Sequence, residues 1–232
     1  MMNILGIIPA RGGSKGIHRK NLVDLCGKPL IAWSIEFGAE LLKRNLVSRC
    51  IVSTDDMEIA QVARNLGADV PFLRPGSAAT DSAKAIDYVR HALDTLSGEG
   101  HSFDAVVLLQ PTSPIRDIGA FEIALQCMER SDADSLISCY EEEYINDLVM
   151  YDVDEDDRLV ARNPDHNKGV RRQQHGSAMI RNGAVYVTRT SYLLRTGHLV
   201  CDRPILMRMN KIDSVDVDTV DDLHLLRAIL CK

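Results

Sequence analysis

The stretch Ile7-Ile-Pro-Ala-Arg-Gly-Gly-Ser-Lys-Gly-Ile-His-Arg-Lys-Asn-Leu22 carries the most information about the fold and chemistry of this chain. It continues an apolar run that starts at Ile4, which predicts a buried first strand running into a loop. Gly12, Gly13 and Gly16 let backbone N–H groups approach an anion closely, and successive N–H groups form anion-binding nests. Four cations in the loop are suited to neutralising a multiply charged group: Arg11, Lys15, Arg19 and Lys20. We therefore expect a triphosphate to bind after the first strand; the alternative is a mobile basic loop.

Two common nucleotide-binding fingerprints are missing from this loop. The sequence Gly-x-x-x-x-Gly-Lys-Ser/Thr does not occur, which argues against an ordinary P-loop. The sequence Gly-x-Gly-x-x-Gly does not occur either, so a dinucleotide-binding fold lacks its main support.

Length and composition indicate one globular domain over residues 1–232. With 232 residues, 45% of them hydrophobic, the chain is long enough for a large α/β domain or a domain with a substantial insertion. The formal net charge of −6 argues against a nucleic-acid partner. No apolar run approaches the length that spans a bilayer, so we expect no membrane partner.

The cysteines and the N-terminus both suggest a cytoplasmic protein. Six cysteines are scattered along the chain without a Cys-x-x-Cys pair or a Cys/His cluster for zinc: Cys26, Cys50, Cys127, Cys139, Cys201 and Cys231. We expect them to be reduced thiols. The N-terminal residues lack a charged leader and a cleavage site and are predicted to form the first strand.

Strand-like and helix-like segments alternate over about the first 135 residues. Three apolar runs predict buried strands: Ile4–Ile8, Cys50–Ser53 and Ala105–Leu109. Asp55 with Glu58 predicts a capping box that opens a helix. The alternation predicts an α/β fold with a doubly wound, mostly parallel sheet.

Ligands of such sheets bind at the carboxyl ends of the strands. The loops 11–21, 74–82 and 110–116 all follow predicted strands, so we expect them to meet in one cleft. The alternation breaks between about 140 and 197, where the chain is more polar. We expect an inserted segment of short strands and hairpins there, forming a lid or a dimer contact.

Asp216 and Asp218 form a candidate metal site near the C-terminus. In an extended segment, residues two apart point to the same face, so both carboxylates can bind one hard cation. Mg²⁺ prefers oxygen ligands and usually keeps water and phosphate in its shell. The alternative is helix entry, because acids before a helix favour its dipole. That explanation suits Asp221 and Asp222 but leaves Asp216 unexplained. Thr219 with Asp222 also fits a capping box.

These residues belong to a larger pattern that resembles the acylneuraminate cytidylyltransferases, the CMP-sialic acid synthetases, including their relatives that activate legionaminic acid. The resemblance spans nearly the whole chain. Its motifs are Pro9-Ala-Arg-Gly-Gly-Ser-Lys-Gly16, Lys20-Asn-Leu22, Val52-Ser-Thr-Asp55, Leu73-Arg-Pro75, Leu109-Gln-Pro-Thr-Ser-Pro-Ile-Arg116, Arg172-Gln-Gln174, Asn182-Gly-Ala184 and Asp213-Ser-Val-Asp-Val-Asp-Thr219.

The resemblance implies a Rossmann-like fold of the nucleotide-diphospho-sugar transferase type with an inserted dimerisation subdomain. It implies a Mg²⁺-dependent enzyme, a homodimer, that joins CMP from CTP to the anomeric hydroxyl of a nine-carbon α-keto acid sugar and releases pyrophosphate. The implied catalytic set is Arg11, Ser14, Lys20, Asp216 and Asp218, with Asp216 and Asp218 as the metal ligands. The implied nucleotide-binding set is Ala10, Arg11, Gly13, Ser14, Lys20, Asn21, Arg74 and Ser82. The implied sugar-binding set is Gln110, Arg172, Asn182 and Tyr186.

The sequence departs from this family at one place that bears on the sugar. Sialic-acid-specific relatives often carry a His-Pro-x-Lys-like run early in the insertion, whose lysine can face the sugar carboxylate. The comparable stretch here is Tyr144-Ile-Asn-Asp147, and loss of that lysine would weaken binding of the sugar carboxylate unless Arg172 or Arg181 compensates. Sialic or legionaminic acid is the expected sugar. The alternatives are another α-keto acid sugar, pseudaminate or the eight-carbon KDO, and a non-catalytic nucleotide-binding module.

Overall fold

The computed structural model describes residues 2–14, 16–80, 83–143, 145, 147–168 and 177–231. The strands are β1 (Ile4–Pro9), β2 (Asp24–Leu25), β3 (Lys28–Pro29), β4 (Arg49–Ser53), β5 (Ala105–Leu109), β6 (Ser135–Glu142), β7 (Tyr151–Val153), β8 (Leu159–Ala161), β9 (Ala178–Arg189) and β10 (Ile205–Met209). The α-helices are α1 (Leu30–Lys43), α2 (Met57–Asn65), α3 (Ala85–Gly98), α4 (Ile118–Glu129), α5 (Thr190–Thr196) and α6 (Val220–Leu230).

Six strands form one sheet in the order β10-β6-β9-β5-β1-β4. β1 is parallel to both β4 and β5, and β10 is parallel to β6. β9 is antiparallel to both of its neighbours, β5 and β6. The predicted α/β fold with a mostly parallel sheet is therefore confirmed, and β9 supplies its antiparallel part.

Successive residues of β1 enter two different cores, because the side chains of a strand alternate between the faces of a sheet. Ile4 and Ile8 pack into the core beneath α1, α2 and α4. Leu5 and Ile7 pack into the core beneath α3 and α5. All residues of β5 are buried. Burial on both faces explains why these strands are continuous apolar runs in the sequence.

The N-terminal cap of α6 is the one predicted from the sequence, whereas that of α2 is not. Thr219 and Asp222 form the predicted capping box of α6. The N-cap of α2 is Asp56, whose carboxylate accepts hydrogen bonds from the backbone N–H groups of Glu58 and Ile59. The prediction of Asp55 as the cap is therefore wrong by one residue. Asp55 instead accepts a hydrogen bond from the Gly12 N–H in the loop after β1, 3.0 Å away.

A third core joins the two ends of the chain. Leu223 of α6 packs with Leu25 of β2 and with Leu30 of α1. Cys26 and Cys231 are joined by a disulfide across this contact, with their Cα atoms 5.3 Å apart. The expectation of reduced thiols is wrong for this pair, because cysteines 205 residues apart in sequence carry no local sign of pairing. The other four are free thiols.

The segment predicted as an insertion, 140–197, divides between two regions of the structure. β7 and β8 pair as an antiparallel hairpin whose residues are mostly exposed. β9 and α5 instead belong to the main sheet and its second core. No helix in the described ranges is both long and apolar enough to cross a membrane.

Candidate active site

The three loops expected to meet do lie around one cavity of about 580 Å³ at the carboxyl ends of β1 and β5. The loop after β1 contributes Arg11, Ser14 and Lys20, and the loop after β5 contributes Gln110. Arg74 lines the cavity from a third direction. Its wall is completed by Pro9, Gly16, Asn21, Ala78, Ala79, Thr80, Ala83, Ala85, Tyr88, Pro111, Thr112 and Asp218. Ser82 and Lys15 lie outside the described residues.

The loop after β1 is held in place by contacts within the protein. The buried Asn21 side chain donates a hydrogen bond to the Arg11 carbonyl, at 2.9 Å. The Arg19 guanidinium pairs with Asp56 at 3.1 Å and with Glu58 at 2.7 Å, which fixes the loop to the start of α2. Arg19 therefore serves as an anchor of the loop, whereas Arg11 and Lys20 face the cavity.

Lys20 connects this loop to the predicted metal site. Its ammonium donates hydrogen bonds to the Val217 carbonyl at 2.6 Å and to an Asp218 carboxylate oxygen at 2.9 Å. Gly16 approaches the same segment so closely that a Cβ atom would lie 2.2 Å from the Asp218 carbonyl oxygen. Residues from the two ends of the chain are thus packed into one site.

Asp216 and Asp218 project to one side of their segment, as their spacing predicts. Val217 between them is fully buried, and both aspartates are exposed. The Val217 N–H donates to the Thr112 carbonyl at 2.8 Å, and the Ser113 hydroxyl donates to Asp216 at 2.9 Å. The aspartate pair is therefore held against the loop after β5.

The carboxylate pair suits a hard divalent cation that also binds phosphate. The described ranges contain no group of three or more His, Cys, Asp or Glu side chains placed to hold a metal. Two exposed carboxylates beside a cavity lined by arginine and lysine would be sufficient for Mg²⁺, because that ion commonly takes its other ligands from water and phosphate.

Arg74 forms a buried wall of the cavity. Its guanidinium donates to the Ser53 carbonyl and hydroxyl, at 2.5 and 3.2 Å, and lies 4.6 Å above the ring of Tyr88. Burial lowers the pKa of Arg74 and raises the pKa of Tyr88 to about 12. Arg11 adds a like charge close enough to lower the Arg74 pKa further. Two cations facing one cavity favour an anionic ligand between them.

Tyr88 and Arg116 are site residues that sequence reasoning missed. Tyr88 lies on the buried face of α3 with Val89 and Ala92, so its local pattern indicates a core residue and gives no sign of a cavity wall. Arg116 is partly buried; it donates hydrogen bonds to the carbonyls of Gln110 and Ala184 and to the Ser34 hydroxyl. Burial lowers the pKa of Arg116 to about 9, which leaves it charged at neutral pH. Arg116 fixes the backbone of Gln110. Its position in the 110–116 loop was the only feature of the sequence that placed it near the site.

The predicted sugar-binding residues lie at the same edge of the sheet. Leu109, which precedes Gln110, pairs with Val185, so Asn182 and Tyr186 lie beside the end of β5. The Asn182 amide is buried and bonded to the hydroxyls of Ser138 and Ser214, at 2.6 and 2.8 Å.

Of the remaining predicted site residues, two lie in the described part of the chain and one does not. Ala10 is buried at the start of the loop, and the described backbone of Gly13 has open space around it. Arg172 lies outside the described residues.

Comparison with known proteins agrees with this architecture. A family described as Cytidylyltransferase matches residues 5–198. The chain is 30% identical to the pseudaminic acid cytidylyltransferase of Campylobacter jejuni over 228 residues, covering 98% of this chain and 96% of that protein. It is also 30% identical to the CMP-N,N'-diacetyllegionaminic acid synthase of Legionella pneumophila, with coverage of 99% and 97%. A 30% match to the N-acylneuraminate cytidylyltransferase of Escherichia coli covers 99% of this chain and 52% of that longer protein.

A solved structure extends the agreement to the fold. The structure of CMP:2-keto-3-deoxy-manno-octonic acid synthetase in complex with CTP superposes with a TM-score of 0.69 at 19% identity, over 99% of this chain and 98% of that one. The family match covers most of the sequence, and the full-length relatives align from end to end. The chain belongs to the cytidylyltransferase family of nucleotidyltransferases.

Proposed function

We propose that this enzyme transfers CMP from CTP to the anomeric hydroxyl of a nonulosonic acid and releases pyrophosphate. The anomeric oxygen forms a bond to the α-phosphorus of CTP, the bond from that phosphorus to the oxygen bridging the α- and β-phosphates breaks so that pyrophosphate leaves, and the hydroxyl proton passes to solvent. The observation that carries the proposal is the junction of Lys20 with the Asp216–Asp218 segment at the cavity. Lys20 would bind phosphate beside the carboxylate pair, and such an arrangement suits the charge stabilisation of nucleotidyl transfer.

The residues around the cavity position and neutralise the triphosphate. Arg11, Ser14 and Lys20 supply cations and a hydroxyl at its mouth, and Arg74 supplies a rigid positive wall. Phosphoryl-group transfer depends mainly on in-line positioning and charge neutralisation, so no covalent nucleophile from the protein is needed. The contacts of Arg19, Asn21 and Asp55 keep the loop preorganised.

Cytidylyltransferases generally use a divalent metal, and we infer Mg²⁺ for this chain. Asp216 and Asp218 would hold it, because their oxygens are hard ligands and share one exposed side of the segment. The metal supplies Lewis-acid neutralisation of the phosphate oxygens. The Lys20 ammonium forms an ion pair with Asp218 at 2.9 Å. The carboxylate proposed to bind the metal therefore already interacts with a positive charge.

The sugar is inferred as a class with sialic or legionaminic acid first. Relatives named for pseudaminic, legionaminic and N-acylneuraminic acids are each 30% identical to this chain, so identity alone does not separate them. Pyrophosphate release with CTP and Mg²⁺ should therefore be measured against these sugars and KDO. Sugar-dependent release would support the proposal and name the acceptor. CTP binding without release for any sugar would refute it and favour a nucleotide-binding module.

Homodimer formation and a cytoplasmic location are part of the proposal. The β7–β8 hairpin carries exposed apolar side chains at Val153, Leu159 and Val160, which favours burial against a second copy. Sedimentation equilibrium tests the dimer: Leu159→Glu should shift the protein towards monomer, and an unchanged dimer would exclude the hairpin. CTP is a cytoplasmic metabolite, and cell fractionation tests the location.

A further inference from the structure

Tyr88 lies where the buried face of α3 meets the cavity. It packs with Val89 and Leu93 in the core beneath α3 and α5, and it is also part of the cavity wall. The residue is 8% exposed, so its ring is almost fully removed from solvent, and a buried tyrosine needs a partner for its hydroxyl group. The other buried residues of α3 are apolar, so packing alone does not explain a hydroxyl at this position.

The ring of Tyr88 supports Arg74, another residue of the cavity wall. The Arg74 guanidinium lies 4.6 Å from the centre of the ring, and it donates hydrogen bonds to the Ser53 carbonyl and hydroxyl. The hydrogen bonds restrain the edge of the guanidinium, and the ring restrains its face. The direction in which Arg74 meets a ligand in the cavity therefore depends on Tyr88 as well as on Ser53.

The phenol oxygen of Tyr88 interacts with Gln110, which follows β5 and lines the same cavity. Burial is the main influence on the pKa of Tyr88 and raises it, whereas a hydrogen bond from the Gln110 side chain acts in the opposite direction. The Tyr88 phenol therefore holds the side chain of Gln110, while Arg116 holds its backbone through a hydrogen bond to the Gln110 carbonyl. One tyrosine thus contacts two different groups of the cavity wall.

We propose that Tyr88 is a positioning residue that orients Arg74 towards CTP and Gln110 towards the sugar. This inference rests on the proposed function, in which Arg74 forms a wall of the triphosphate site and Gln110 is expected to contact the sugar. A single rigid ring on α3 holds both groups at a fixed separation. Because transfer depends on alignment of the anomeric hydroxyl with the α-phosphate, this shared support favours productive alignment of the two substrates.

Two substitutions of Tyr88 separate its two contacts, because each removes a different part of the side chain. Tyr88→Phe keeps the ring on Arg74 and removes the hydroxyl, so the KM for the sugar should rise about 3- to 10-fold while the KM for CTP stays unchanged. Tyr88→Leu also removes the ring, so CTP binding, measured by calorimetry without sugar, should weaken about 5- to 30-fold. Tyr192→Phe is the matched control, since the Tyr192 hydroxyl donates to the Val200 carbonyl at 3.4 Å and Tyr192 lines a different cavity; it should leave both constants unchanged.

A double-mutant cycle with Gln110→Leu gives a readout that a general structural defect would not produce. When the Gln110 amide is already absent, Tyr88→Phe should change the KM for the sugar by less than about twofold. An unchanged sugar KM in the single Tyr88→Phe variant, or an equal rise in both backgrounds, would overturn the positioning role and leave the transferase proposal intact. Tyr88→Phe is conservative, so its kinetics decide the case even where Tyr88→Leu does not fold. Absence of sugar-dependent pyrophosphate release by wild type would refute the proposed function and this inference together.

Discussion

Gly16→Ala tests whether contact between the loop after β1 and the aspartate segment is required for catalysis. A Cβ atom at residue 16 would lie 2.2 Å from the Asp218 carbonyl oxygen, well inside normal contact distance. Because the obstacle is backbone, the loop and the aspartate segment must separate by roughly 1 Å. The Lys20 hydrogen bonds to Val217 and Asp218, now 2.6 and 2.9 Å, would then stretch beyond useful length.

The expected loss follows from positioning. Displacement of catalytic groups by about 1 Å costs on the order of 100-fold in rate, so we expect kcat/KM to fall by about that factor. Overpacking should also lower the free energy of unfolding by about 1–3 kcal/mol. The assay is pyrophosphate release at saturating Mg²⁺, with CTP binding and thermal unfolding measured on the same samples.

Gly98→Ala is the matched control. A Cβ atom at Gly98 would meet nothing within 4 Å, and the residue ends α3 far along the chain from the loop. Its kcat/KM should equal that of wild type. A folded Gly16→Ala protein with kcat/KM within twofold of wild type would refute the reasoning, because the close contact would then be irrelevant to catalysis.

Three further outcomes are expected. Asp216→Asn should reduce kcat at least about 100-fold and raise the Mg²⁺ concentration needed for activity, whereas Asp221→Asn, in the first turn of α6, should not; equal Mg²⁺ titrations would contradict the metal assignment. Arg116→Lys should lower the free energy of unfolding in urea by about 2 kcal/mol, because the single nitrogen of lysine cannot reach three acceptors that Arg116 contacts through three separate nitrogens; an unchanged midpoint would count against this. The Tyr88 pKa is raised from 10.0 to about 12, so the stability from burying its neutral form is complete below pH 10 and is lost as the pH rises towards 12. The unfolding midpoint of Tyr88→Phe should therefore fall less than that of wild type over this interval, and parallel curves would exclude the effect.

Elements with a local signature were predictable from the sequence. The strands β1 and β5 are apolar runs because both faces of the sheet are covered, and such runs need no knowledge of distant residues. The projection of Asp216 and Asp218 to one side follows from the period of an extended chain. The capping box of α6 lies within four residues, and it is present as predicted.

Features that depend on distant contacts were missed or misplaced. By sequence, either Asp55 or Asp56 could be the N-cap of α2. The structure shows that Asp56 caps the helix, whereas Asp55 accepts a hydrogen bond from the Gly12 N–H in the loop after β1. Tyr88 and Arg116 become site residues through their contacts with Arg74 and Gln110. Neither contact corresponds to a helical or strand periodicity in the sequence, so it could not be predicted from local patterns.

The sequence by itself determined the α/β alternation, the glycine-rich basic loop after β1 and the paired carboxylates, because each depends on neighbouring residues and on the fixed geometry of strands and helices. Only the tertiary structure decided that β9 runs antiparallel inside the main sheet, that Cys26 meets Cys231, and that Lys20 reaches Asp218. These contacts join residues far apart in the chain. Their partners are selected by the packing of the whole sheet and its three cores, which no local pattern records.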